Sequence, residues 1–223
     1  MEELSPITPV NFFQLSVQCK YLAPKGEFPT LTGRNVKTLL GRNAKTFLLP
    51  DTSVLCNEEH FADVFMGWNE EGIEFLFQVD KSFEEACYPD VSRGDSVEIF
   101  LDTRDVKTSG YNTRFCHHFF FLPEAVEGYQ AGEITHFRTE DAHALCDASD
   151  LKCKSTVKKG EYMLHCQIPN TCLHGYDPGQ FDRLGFAYRI NRPYWASQHF
   201  SVVSEDYKLE EQPSLWSTMR LIK

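Results

Sequence analysis

GDSVEIFLDTRD, residues 94–105, is the stretch on which the reading of this chain turns. It alternates. Val97, Ile99 and Leu101 fall on one side, and Ser96, Glu98, Phe100 and Asp102 on the other. Alternation with period two marks a half-buried β-strand. The second face then carries Glu98 and Asp102 pointing the same way, with Asp95 before the strand and Asp105 beyond it. Three explanations stay open for this row of carboxylates: a solvated sheet face, a calcium site, or a ligand-binding face.

The neighbouring segments repeat the pattern. ADVFMGW is a strand, and NEEG is a hairpin turn in which Asn69 and Gly72 suit a tight loop. GIEFLFQV then sets Ile73, Phe75, Phe77 and Val79 on one face. RFCHHFFFLP places Phe115, His117, Phe119 and Phe121 opposite Cys116, His118, Phe120 and Leu122. EYMLHCQIP turns Tyr162, Leu164, Cys166 and Ile168 inward. ITHFR and KCKSTV are weaker strands, and RLGFAYRI, QHFSVV and STMRLIK close the chain. No long 3.6-residue period interrupts them. The expectation is an all-β protein, an antiparallel β-sandwich. Residues 51–223 form its body. Residues 1–50, with a first strand in NFFQLSVQCKYL, a Pro- and Gly-containing loop, and the basic VKTLLGRNAKTFLLP around Gly41, are expected as an N-terminal elaboration packed on it.

Composition narrows the function classes. A chain of 223 residues that is 42% hydrophobic can bury a sizeable core, and 18 Phe with 9 Tyr favour strands. The formal charge of −10, spread along the sequence, argues against nucleic acid and against anionic membranes as partners. No apolar run is long enough to span a bilayer. The opening MEELSPITPV lacks the basic and apolar parts of a secretory signal. Eight Cys without regular spacing, with Cys19, Cys116, Cys153 and Cys166 in or beside strands, suggest free thiols and a cytoplasmic setting.

Three ordered pieces carry a resemblance: VFMGWNEEGIEFLFQVDK, then GDSVEIFLDTRD, then RLGFAYRINR with SED and QPSLWSTMRLIK. Together they resemble carbohydrate-binding module family 9 and the wider DOMON-like β-sandwich group over about 160 residues. The resemblance implies a non-catalytic saccharide-binding module in which Glu98 faces the ligand. It also implies two Trp platforms around a sugar ring. Here the stretch before the motif is YPDVSR and the later loop is SEDYKLEEQPS, both without Trp. Tyr88, Tyr194 and Trp195 are the aromatics that remain. Stacking needs such platforms because the CH face of a sugar packs on π-electrons.

The candidate ligand-binding residues are therefore Glu98, Arg189, Tyr194, Trp195 and His118. Glu98 would accept hydrogen bonds from sugar hydroxyls, Arg189 would donate, and the aromatics would stack. His118 meets Glu98 if their strands are neighbours. The alternative is a protein–protein interaction module on the same fold with the sugar site lost. No catalytic residue and no cofactor are expected. Structural calcium on Asp80, Asp95, Asp102 and Asp105, zinc on His118 and His165, and haem on Met66, Met163 or His165 are the cofactor options weighed. His117 reads as a hydrogen-bonded core histidine, and Trp216 as core.

Overall fold

A computed structural model describes residues 15–23, 45–203 and 207–223. The region around Gly41 and the SED tripeptide lie outside the described residues. Among the described residues, eleven strands form one continuous sheet: β1 Ser16–Tyr21, β2 Ala62–Asn69, β3 Gly72–Val79, β4 Ser96–Asp102, β5 Cys116–Val126, β6 Tyr129–Glu133, β7 Lys152–Lys158, β8 Glu161–Pro169, β9 Arg183–Asn191, β10 Gln198–His199 and β11 Ser217–Ile222. One short helix, α1 (Ser53–Cys56), precedes β2.

The strand order is β6-β5-β4-β9-β11-β1-β2-β3-β8-β7, with β10 added to β9. The sheet folds over on itself, so that Phe75 and Phe77 of β3 meet Phe186 and Tyr188 of β9. Phe75 stacks on Phe186 at 5.8 Å, and Phe77 meets Tyr188 edge-on at 6.2 Å. Rings 4.5–7 Å apart in these orientations gain beyond simple burial. The result is the expected β-sandwich, antiparallel except at β1. That strand runs parallel to both β11 and β2, with Ser16 opposite Thr218 and Lys20 opposite Gly67. β1, from the first fifty residues, is thus a strand of the sheet itself.

The inward faces follow the alternation read from the sequence. Ile73, Phe75, Phe77 and Val79, then Val97, Ile99 and Leu101, then Tyr162, Leu164, Cys166 and Ile168 all lie in the central core. The β2–β3 hairpin turns at Gly72, whose φ of +145° and closeness to Ile168 O, 2.2 Å from where a Cβ would sit, admit only glycine. Two expectations need correction. ITHFR is not a strand. The strand is β6, immediately before it, and Ile134 and Thr135 only tether the start of an irregular segment to His118. QHFSVV pairs only at Gln198 and His199. Trp216 is buried as expected, but in a separate cluster with Phe100, Val202 and Leu209 on the outer side of β4, β5 and β9.

Candidate functional site

β4 lies between β5 and β9, and register decides which side chains meet on its outer face. Glu98 sits opposite Phe120 on β5 and Arg189 on β9. One step of the two-residue repeat brings His118 and Asn191 beside it on the same face. All four side chains converge. Arg189 donates from Nε to Glu98 Oε1 at 2.8 Å and from Nη2 to Oε2 at 2.9 Å. His118 Nε2 lies 2.7 Å from Oε2, and Asn191 Nδ2 donates to Oε1 at 2.6 Å. Asn191 is anchored in turn by Ser96 Oγ and Ser197 Oγ. Phe100 lies against the His118 ring at 4.4 Å.

This cluster is buried. Glu98 is 1% exposed, because Leu209, Trp216 and neighbouring residues cover the outer face. Burial alone opposes charge on Glu98. The hydrogen bond and charge of His118, with Arg189 and Asn191, outweigh it and bring the carboxyl down to about 2. Glu98 is therefore an ionised carboxylate whose lone pairs are occupied by protein donors. The expectation of an open carboxylate face is corrected accordingly. Asp102, at the end of the strand, is buried too. It closes a turn by accepting from the backbone of Arg104 and Val106 at 2.9 and 2.7 Å, and burial pushes its pKa up.

The end of the cluster opens toward the loop after β9. Three residues separate Asn191 from Trp195. Tyr194 is 90% exposed and Trp195 62%. Tyr194 adopts φ +64° and donates to Glu85 Oε1 at 3.3 Å. The Arg192 guanidinium sits 5.5 Å from the Trp195 ring and 3.9 Å from Glu84. Among the described residues, two buried polar atoms near this end, Arg192 Nε and Asp95 Oδ1, have no hydrogen-bond partner; a third, Glu210 Oε2, lies 3.9 Å from Arg189 Nη1. Unpaired buried donors and acceptors are rare and costly. Tyr88, the aromatic before the motif, stacks instead on Tyr129 at 4.5 Å.

The structure thus brings Glu98, His118 and Arg189 into contact and leaves Tyr194 and Trp195 outside as an exposed pair. Asn191 was missed by sequence reasoning. Its only signal was an even spacing from Arg189 on the same strand.

The metal options separate in space. Asp95 and Asp102 stand at opposite ends of β4, about 23 Å apart at strand rise, and Asp95 is occupied by the backbone of Glu84 and Glu85. His118 bonds Glu98, whereas His165 bonds Glu74 at 3.0 Å on the outer face of the other layer, so the two do not share a zinc. Met66 packs in the central core and Met163 outside it with Phe65 and Leu76, which places them on opposite faces of the sheet and not around one haem.

Comparison with solved structures finds the same architecture. A family 9 carbohydrate-binding module from Caldicellulosiruptor kristjanssonii in complex with cellotriose is 15% identical, covers 93% of each chain, and has a TM-score of 0.58. The same source's module in complex with glucose is 14% identical, covering 93% of this chain and 96% of that one, with a TM-score of 0.59. A putative carbohydrate-binding protein from Bacteroides uniformis ATCC 8492 is 11% identical, covering 93% and 99%, with a TM-score of 0.57. A comparison with curated protein sequences finds no match. Identities this low establish fold alone. The family model described as carbohydrate family 9 binding domain-like, however, matches residues 44–223, which takes in β2 through β11 and the whole Glu98 cluster. With most of its length matched and its architecture shared, the chain belongs to the carbohydrate family 9 binding domain-like family.

Proposed function

We propose that the chain is a non-catalytic carbohydrate-binding module whose ligand rests on Tyr194 and Trp195 at the end of the sheet. The observation that carries this reading is the juxtaposition of an exposed aromatic pair, Tyr194 and Trp195, with the Arg192 guanidinium 5.5 Å from the Trp195 ring, on the loop that follows the ionised cluster. A sugar offers both things such a place wants: a CH face for the ring and hydroxyls for the donors and acceptors. Family relatives in complex with cellotriose and glucose support the ligand class.

In this reading the roles differ from the simplest ones. Glu98 does not reach the sugar. It holds Arg189, His118 and Asn191 in place, and Asn191 fixes the root of the loop that carries the aromatics. Arg189, 14% exposed, keeps Nη1 free of Glu98 and directed at Glu210. Arg192 and Glu84 at the rim supply further hydrogen bonds. Nothing in this arrangement pairs an acid with a base across a cleft, so catalysis is not proposed.

A second reading is a protein–protein interaction module on the same fold. The filled outer face of β4, β5 and β9, covered by Trp216 and Leu209, favours it. A glycan array run beside an affinity pull-down from the native host separates the two. Saccharide hits support the first reading. Silence on the array with a specific protein captured supports the second.

A further inference from the structure

A second cluster lies on the other side of β5, away from Glu98. His117 of β5, Glu133 at the end of β6 and His143 of the irregular segment 134–147 converge beneath that segment. His117 Nδ1 is 2.9 Å and His143 Nε2 2.8 Å from the same atom, Glu133 Oε1. The three ligand-type atoms all lie within 4.8 Å of one another. The side chains of His117 and Glu133 are fully buried, and that of His143 is 5% exposed.

Proton accounting at His143 points to a cation. Its Nδ1 is 2.7 Å from the carbonyl oxygen of Arg114. A carbonyl only accepts, so Nδ1 carries a hydrogen. In neutral imidazole Nε2 is then a bare lone pair, and it faces a carboxylate oxygen 2.8 Å away. Two acceptors hold that distance only with a proton or a metal ion between them. The surroundings suit the metal. A histidine ligand commonly donates its other N–H to a backbone carbonyl, as His143 does to Arg114. The carboxylate is oriented from its far side, since Glu133 Oε2 accepts from Cys146 N at 2.9 Å while Thr135 donates to Oε1 at 2.8 Å. Tetrahedral zinc with bonds of 2.0–2.1 Å sets its donors about 3.3 Å apart, so the two short separations need to open by only about half an ångström.

We propose that His117, Glu133 and His143 bind one divalent transition-metal cation of the zinc type. The ion would staple the segment 134–147, which has no strand pairing of its own, onto β5 and β6. Two imidazoles with one carboxylate select zinc-class ions over calcium or magnesium, which prefer all-oxygen shells. His117 and His118 are consecutive in sequence and serve different clusters because they point to opposite faces of β5.

The test uses the full chain stripped with chelator, with zinc and cobalt(II) as probes. Calorimetric titration with zinc is expected to show one site per chain, and saturating zinc to raise the melting temperature. His143→Gln is expected to lower the affinity by more than about a hundredfold, beyond the 10–100-fold that outer-shell changes cause, and to abolish the thermal shift. His60→Gln, at an exposed histidine, leaves both unchanged. Cobalt(II) on the unmodified chain is expected to show the intense visible bands of tetrahedral coordination. Sub-stoichiometric binding, or an affinity unchanged in His143→Gln, overturns the proposal. If His143→Gln fails to fold, the cobalt spectrum decides alone, and weak octahedral bands overturn it. In either case the cluster is then a hydrogen-bonded core network of His117, Glu133 and His143.

Discussion

Replacing Glu98 by Gln changes one atom's identity and should cost stability before it costs binding. The native carboxylate accepts from Arg189 twice, from His118 once and from Asn191 once, all between 2.6 and 2.9 Å. A glutamine amide keeps one acceptor and turns the other into a donor. That donor faces His118 and Arg189, or Asn191 after a flip, and the Arg189 charge stays buried with no counter-charge in contact. Breaking a buried pair by removing one partner costs about 3–5 kcal/mol. The depressed pKa gives a second route to the number. A fall from 4.5 to about 2 is on the order of 3 kcal/mol at about 1.36 kcal/mol per pH unit. For a chain of this size each kcal/mol moves the midpoint by about 2–4 °C, so at the lower figure of about 3 kcal/mol, which both routes share, Glu98→Gln should melt about 6–12 °C lower. The sign with pH follows. A carboxyl depressed in the folded state contributes stability above its unfolded pKa and loses it as pH falls toward the folded value. The native chain should therefore lose this contribution between about pH 4.5 and about pH 2, and Glu98→Gln should show a correspondingly smaller acid dependence. Thermal melts of both chains across that range measure it. A midpoint within about 2 °C of the native chain at neutral pH, under one kcal/mol at this size, would refute the view that Glu98 is an ionised keystone.

Other expectations are simpler. Phe186→Ala removes a fully buried ring that touches Phe75, Tyr188 and Phe200, and should cost about 3–5 kcal/mol in urea unfolding. Gly132→Ala puts a methyl 2.6 Å from the Phe120 ring, and should destabilise by about 1–3 kcal/mol through overpacking, although alanine is otherwise the better strand residue. A reducing, cytoplasmic setting is proposed from the strand-embedded thiols. Titration of the denatured, unreduced chain from its native host should find most of the eight Cys reactive, and four disulfides would point to an oxidising compartment.

The alternating segments were legible because each strand's inward row is its own signal. Ile73 to Val79 and Tyr162 to Ile168 read inward from sequence and are inward in the fold. β6 was missed because Tyr129–Glu133 has no such row. Its packing works through Gly132 tucked under Phe120, an absence of side chain that periodicity cannot weigh. The meeting of Glu98 with His118 was readable as a conditional, dependent on strand neighbours, and the strand order fulfils the condition. The burial of Glu98 was not readable. It depends on a cover formed by Leu209 and Trp216, more than a hundred residues away in sequence, and on Arg189 arriving in register from β9. The His117, Glu133 and His143 cluster was hidden for the same reason. His117 gave its core position away, but its partners lie 16 and 26 residues further on and are brought to it by the β5–β6 hairpin and an irregular segment.

The claim on which the functional account stands is that a saccharide packs on the loop after β9. Calorimetry with an array-selected sugar, on the native chain and on Trp195→Ala, tests it most directly. Trp195 is largely exposed, so its truncation leaves folding intact and reads binding alone. The predicted result is an unchanged melting temperature with an affinity loss of about 1 kcal/mol or more, the scale of one stacking contact, or about fivefold. A sugar bound equally well by Trp195→Ala would contradict the account and place the ligand elsewhere on the sandwich.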